Sequence, residues 1–145
     1  MTVKFLGEVE PEREPELRAA LTRAAGGGRP LPLAVRGFGV FPDATRPRVI
    51  WAGLDADPTL ELLQHRVEQE FSPLGFPPEG RPFRPHLTLG RAAREARPRD
   101  FAGLAGALDG LHYEEAVLVA SVDLMQSIAQ AGGMVYQVRH SERLS

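Results

Sequence analysis

Apolar and polar positions alternate in two registers along this chain. From Thr2 to Val9 the alternation has period two, as in a strand with Val3, Phe5 and Gly7 on one face and Thr2, Lys4 and Leu6 on the other. From Glu12 to about Ala25 the period lengthens. Leu17, Ala20, Leu21 and Ala24 fall on one helical face, and Gly26-Gly27-Gly28 ends the run. Leu31 to Phe41 returns to strand spacing, with a change of phase near Gly37 or Gly39. The turn Pro42 to Pro47 then joins it to a strand from Arg48 to Leu54, which predicts a hairpin.

Asp57-Pro58 is a helix start, with Asp57 as N-cap and Pro58 in the first helical position. Leu60, Leu63, Val67, Phe71 and Leu74 line one face of the helix that follows. A Pro-rich loop leads into a short strand at His86. A short helix is expected from Arg99 to Leu108. Two last strands are expected, Glu114 to Leu124 and Met134 to Arg139, with a Gly132-Gly133 turn between them. Helices alternating with strand pairs predict an α+β fold with largely antiparallel sheet. At 145 residues, with no long polar linker, a single domain over 1–145 is expected.

Composition narrows the chemistry. Cysteine is absent, which excludes disulfides, thiolate nucleophiles and Cys-ligated zinc. No apolar run reaches membrane-spanning length and no signal peptide is evident, so a cytoplasmic protein without membrane association is expected. The net charge of −2 supplies no global field for long duplexes. Locally the balance differs: six arginines lie between Arg81 and Arg99 against one acid, Glu95. For Arg94, Arg97 and Arg99, a rim for a phosphorylated ligand and an ordinary solvated loop fit equally well; Arg91 favours function.

That cluster surrounds Arg84-Pro85-His86-Leu87-Thr88-Leu89-Gly90-Arg91. In a strand, His86 and Thr88 share a face, placing an imidazole, a side chain type able to move a proton, beside a hydroxyl able to hold a phosphoryl oxygen. Leu87 and Leu89 are expected on the opposite face, in the core, as is Phe5 of the first strand. Arg91 reaches the face of His86 only if the strand ends or bulges at Gly90, which glycine permits. A structural histidine and a surface arginine are the plain alternatives. His65, His112 and His140 show no metal-ligand spacing, and P-loop, dinucleotide and nucleophile-elbow motifs are absent, so no metal or cofactor is expected.

These residues resemble the 2H phosphoesterase superfamily, and within it the RNA 2′,3′-cyclic phosphodiesterase family, also called 2′-5′ RNA ligase. Thr2 to Val9 resembles the tail of the family's first His-x-Thr motif. Phe41-Pro42 through Trp51 resembles its central hairpin, Phe83 to Arg91 its second motif, and Leu124 to Ser127 with Gly133 to Val138 its closing strands. The resemblance implies two lobes whose antiparallel sheets face a central cleft, with helices outside. It implies a metal-independent reaction in which one histidine gives a proton to the leaving ribose oxygen and the other accepts one from water. On this chain the proton acceptor is His86. Thr88 and Thr2 are the phosphate-binding hydroxyls, and Arg91 is the phosphate-contacting arginine, with Arg84 beside it as a further substrate-binding residue.

The partner histidine of Thr2 would fall one residue before Met1. The chain is therefore expected to lack the family's N-terminal segment and first-motif histidine, through a misplaced start, fragmentation or degeneration. The implied activity is hydrolysis of 2′,3′-cyclic phosphate RNA ends to 2′-phosphates by a monomer, with 2′-5′ ligation as a related activity. Loss of one general acid slows such a reaction by ~10²–10⁴-fold. Two rivals are an RNA-end or nucleotide-binding module without turnover, and a 2H enzyme acting on another cyclic phosphate.

Overall fold

The computed structural model describes residues 1–55 and 57–145. Its contacts divide the chain into two compact units, each mixing helix and strand. The first comprises Met1–Thr2, Pro32–Asp57 and Phe83–Val117, and the second Val3–Leu31, Pro58–Pro82 and Leu118–Ser145.

The second unit is built on two helices and a hairpin. Helix α1 (Glu14–Ala25) follows a 3-10 turn at Pro11–Arg13, with acids in its first turn and Arg23 in its last, the polarity its dipole favours. Its apolar stripe, Leu17, Ala20, Leu21 and Ala24, is buried. It packs on helix α2 (Pro58–Phe71), whose Leu60, Leu63, Val67 and Phe71 are also buried, and on both strands of the terminal hairpin. Both stripes lie at the spacing read from the sequence, except that Leu74 falls beyond α2 in a 3-10 turn at Ser72–Leu74 and is only half-buried. Gly28 is required where α1 ends, because a Cβ there would lie 2.8 Å from the Leu144 side chain and 2.9 Å from the Ala25 carbonyl oxygen.

The first unit carries a four-stranded sheet in the order β3-β2-β1-β4, from strands β1 (Leu31–Phe41), β2 (Val49–Leu54), β3 (His86–Arg91) and β4 (Glu114–Val119). Strands β1 and β2 form the expected antiparallel hairpin, and β3 runs antiparallel to β2. The change of phase in β1 is a bulge between Val35 and Phe38, where Gly37 takes φ +74°. It lets Leu33 and Val35 on one side of the irregularity, and Phe38 and Val40 on the other, serve the same apolar face. The short helix expected from Arg99 is a 3-10 turn at Pro98–Phe101 followed by α3 (Leu104–Asp109).

Three expectations are corrected. Residues 2–9 form no strand. Lys4 instead turns into the second unit, where its ammonium pairs with buried Glu68 and donates to the Pro77 carbonyl at 2.9 Å. Gly7, at φ +76°, interrupts the extended run, and Phe5 is left 81% exposed, outside the core. The run Glu114 to Leu124 is two strands: β4 ends at Val119 and β5 (Ser121–Gln130) begins after Ala120. Strand β5 belongs to a separate two-stranded sheet with β6 (Gly133–Arg143). Ala120 is the break, its carbonyl accepting from the Leu144 amide at 2.9 Å. Finally, Leu89 is 58% exposed and anchors no core, for a reason that also shapes the site.

Candidate active site

Pairing between β2 and β3 fixes which side chains share a face. Val49 pairs with Arg91, Ile50 with Gly90, Trp51 with Thr88, Ala52 with Leu87 and Gly53 with His86. Two residues of β2 therefore span three of β3 between Thr88 and Gly90, and Leu89 is the extra residue of a bulge. The bulge shifts the alternation by one. His86, Thr88 and Arg91 all come to lie on one face, with Val49, Trp51 and Gly53. Leu87 and Gly90 take the other face, opposite Ala52 and Ile50. The bulge that brings Arg91 to the face of His86 falls at Leu89, one residue before the Gly90 read from the sequence, and it is also why Leu89 leaves the core.

His86 is half-buried, and its Nδ1 lies 2.7 Å from the carbonyl oxygen of Arg84. A carbonyl only accepts, so Nδ1 carries the proton and donates it, and Nε2 is left with its lone pair as the basic nitrogen. The ring meets Phe41 edge-on, with centroids 5.2 Å apart and planes at 87°. Phe41 in turn packs on Trp51 at 5.2 Å. The indole lies across Gly39, where a Cβ would overlap its Cζ2. Imidazole orientation is thus set by one main-chain hydrogen bond and a stack of two aromatic rings on a sheet face, which is a rigid mount for the ring.

Thr88 is exposed on that face, two residues from His86. Arg91 is exposed and makes no side-chain hydrogen bond or ion pair among the described residues. Arg84 enters through its carbonyl, which orients His86, while its side chain is exposed and likewise unpaired among the described residues. Thr2 belongs to the same compact unit as His86 but is exposed and lies in no strand. Phe41, Trp51 and Gly39 escaped the reading of the sequence. The available signal was the lone tryptophan of the chain in the strand facing β3, with a glycine in the neighbouring strand to receive its ring.

His140 and His65 lie in the second unit, where His140 contacts Glu142 through Nε2 at 2.6 Å, and His112 is exposed beyond α3. None stands on the β2–β3 face. Among the described residues no group of three or more acidic or histidine side chains is arranged to hold a metal ion. No helix among them is long and apolar enough to cross a membrane.

The face offers a base, a hydroxyl and a free guanidinium, a set suited to a phosphoester. Comparison with known proteins points the same way. The sequence model of the 2′-5′ RNA ligase superfamily matches residues 1–130. An RNA 2′,3′-cyclic phosphodiesterase of Methanothermobacter thermautotrophicus is 32% identical over 135 residues, 93% of this chain and 72% of its own length. One of Aeropyrum pernix is 33% identical over 140 residues, covering 94% and 77%. One of Geobacillus stearothermophilus is 36% identical over 91 residues, only 29% of its own length. A solved structure from Thermus thermophilus superposes with a TM-score of 0.76 at 27% identity, covering 99% of this chain and 76% of that one. E. coli LigT complexed with 3′-AMP gives 0.72 at 26% identity, covering 99% and 75%. By sequence and by fold, this chain belongs to the 2′-5′ RNA ligase superfamily.

Proposed function

We propose that the chain acts on the 2′,3′-cyclic phosphate of an RNA end, opening it to a 2′-phosphate, with His86 Nε2 taking the proton of the attacking water. The single observation that carries this is the bulge at Leu89, which gathers His86, Thr88 and Arg91 on one face. In the step, water oxygen bonds to phosphorus and its proton passes to Nε2. The bond to the ribose 3′ oxygen breaks, and that oxygen takes a proton from solvent or from an acid dissolved in it. Thr88 and Arg91 meet the charge that gathers on the non-bridging oxygens. The names of the relatives support the substrate class.

His86-Leu87-Thr88 is the only His-x-Thr in residues 1–145. We assign the general acid to no residue of this stretch, and turnover by it is expected to be slow, by ~10²–10⁴-fold against a two-histidine site. The test follows a short RNA ending in a 2′,3′-cyclic phosphate, in chelator, with the product end identified. Imidazole buffer serves as an external acid. The rate should rise with imidazolium concentration in the wild-type chain and not in folded His86→Ala. Equal rates in both, or loss of activity to chelator, would overturn the mechanism. Tight binding of the RNA end with no turnover in any buffer would favour a binding module.

A further inference from the structure

Each unit holds both paired and unpaired arginines: Arg36 of the first is ion-paired with Asp55, and Arg29, Arg81 and Arg143 of the second make no side-chain hydrogen bond or ion pair among the described residues. In the second unit Arg13, Arg18, Arg23, Arg66 and Arg139 are committed to carboxylates or main-chain carbonyls of the same unit. In the first unit Arg48, Arg84, Arg91 and Arg94 are exposed and, among the described residues, form no hydrogen bond or ion pair through their side chains. Arg46 is exposed too and feels Asp43 only at a distance. Arg48 and Arg91 lie at one end of the β2–β3 ladder and Arg84 beyond the other, and the exposed guanidiniums left unpaired at the Arg48–Arg91 end repel one another. Such an arrangement is stable on its own only through hydration, and is suited to an anionic partner.

These groups are held in order. The Asp43 carboxylate accepts from the Thr45 and Arg46 amides at 2.9 and 3.0 Å, which closes the turn that presents Arg46. The Arg48 amide donates to the Phe41 carbonyl at 2.6 Å, and the Arg48 carbonyl accepts from Ala92 at 2.9 Å. Arg48 therefore sits beside the end of β3, one step from the Val49–Arg91 pair. At this end of the ladder lies a cleft of about 190 Å³. Pro47, Pro98 and Phe101 line it together with Arg46 and Arg48. Apolar or aromatic wall with cationic rim is the composition that receives a stacked base and its flanking phosphates. Because of the bulge at Leu89, the span from the Gly53–His86 pair to Arg48 and Ala92 is five steps of β2, about 16 Å at ~3.3 Å each. A single nucleotide seated at His86 does not reach that far.

We propose that this cleft is a second RNA subsite, in which Arg46 and Arg48 bind phosphates of single-stranded RNA several nucleotides upstream of the end held at His86, with a base against Phe101. The chain then selects oligoribonucleotides over mononucleotides. The proposal rests on the assignment of the His86 face as the phosphoester site.

Fluorescence anisotropy tests it without requiring turnover. The probes are 5′-labelled single-stranded RNAs of two, four and eight nucleotides ending in a 2′-phosphate, measured from 50 to 200 mM salt. Affinity should rise at least tenfold from two nucleotides to eight. The double variant Arg46→Gln/Arg48→Gln should lose that gain, with the salt slope falling by about 0.7 for each phosphate contact removed. Its affinity for the dinucleotide should not change. Phe101→Ala should weaken the eight-nucleotide RNA alone. His86→Ala and Arg91→Gln should weaken all lengths by a similar factor and keep the length dependence. Length-independent affinity, an unchanged ratio in the Arg46/Arg48 variant, or no RNA binding overturns the subsite. A length dependence that survives while His86→Ala, Arg91→Gln and removal of the terminal phosphate change nothing would sustain the subsite and refute the end-binding site.

Discussion

Cutting the Lys4–Glu68 pair should remove a large share of the fold's stability. The Lys4 and Glu68 side chains are 6% and 9% exposed. The Glu68 carboxylate also accepts from Gln64 Nε2 at 3.1 Å. Replacing Glu68 by alanine leaves the Lys4 ammonium, among the described residues, with the Pro77 carbonyl as its one remaining acceptor, out of reach of most water. A buried charge stripped of its partner costs about 3–5 kcal/mol. Against a total stability of about 5–15 kcal/mol for a domain, that is a major loss. Lys4→Met should cost a similar amount by leaving the carboxylate uncompensated. The double variant Lys4→Met/Glu68→Leu removes both charges and fills the space with apolar groups, so it should be more stable than either single variant. Urea unfolding followed by circular dichroism gives the three values. Single variants each costing under about 1 kcal/mol, with an additive double, would show that the pair does not hold residues 3–10 in place.

Further outcomes follow from the same contacts. Gly39→Ala should push the Trp51 indole off the strand, since the new Cβ would overlap it; a cost of about 1–3 kcal/mol and a changed Trp51 emission are expected, with lower turnover because Trp51 supports Phe41 and Phe41 supports His86. Leu89→Ser should change stability by no more than about 0.5 kcal/mol, as befits an exposed bulge residue, whereas a core leucine would cost several times more. The Glu14 carboxyl is held below its ordinary value by hydrogen bonds from Arg139 and then Arg18. Its contribution to stability is therefore present above the unfolded carboxyl pKa and lost as pH falls through the lower folded one, and Glu14→Gln should flatten the stability profile in that acid window.

The helices were legible because their apolar stripes carry the whole packing decision: Leu17, Ala20, Leu21 and Ala24 face inward for the same reason that they repeat. The strand at His86 was legible as an element, and its shared face followed from period two. The bulge at Leu89 was not, since it depends on which residue of β2 pairs with Thr88, a long-range property that alternation within β3 does not contain. Residues 2–9 show the converse. Their pattern is that of a strand, but a strand exists only with a partner to pair with. Here a buried ion pair at Lys4 decides the conformation. Ala120 divided what reads as one apolar run because the two halves join different sheets. The aromatic mount of His86 spans three strands and could be assembled only from their register.

The chain has four histidines, so its imidazole proton resonances can be assigned one by one by single substitutions. Titration with a nucleoside 2′-phosphate, in chelator and at fixed pH, reports directly which of them meets the phosphoryl group. The His86 signals should shift with saturation and the dependence should vanish in Arg91→Ala, while His65, His112 and His140 stay in place. A ligand that moves one of those three, or saturates without moving His86, would contradict a phosphoester site on the β2–β3 face.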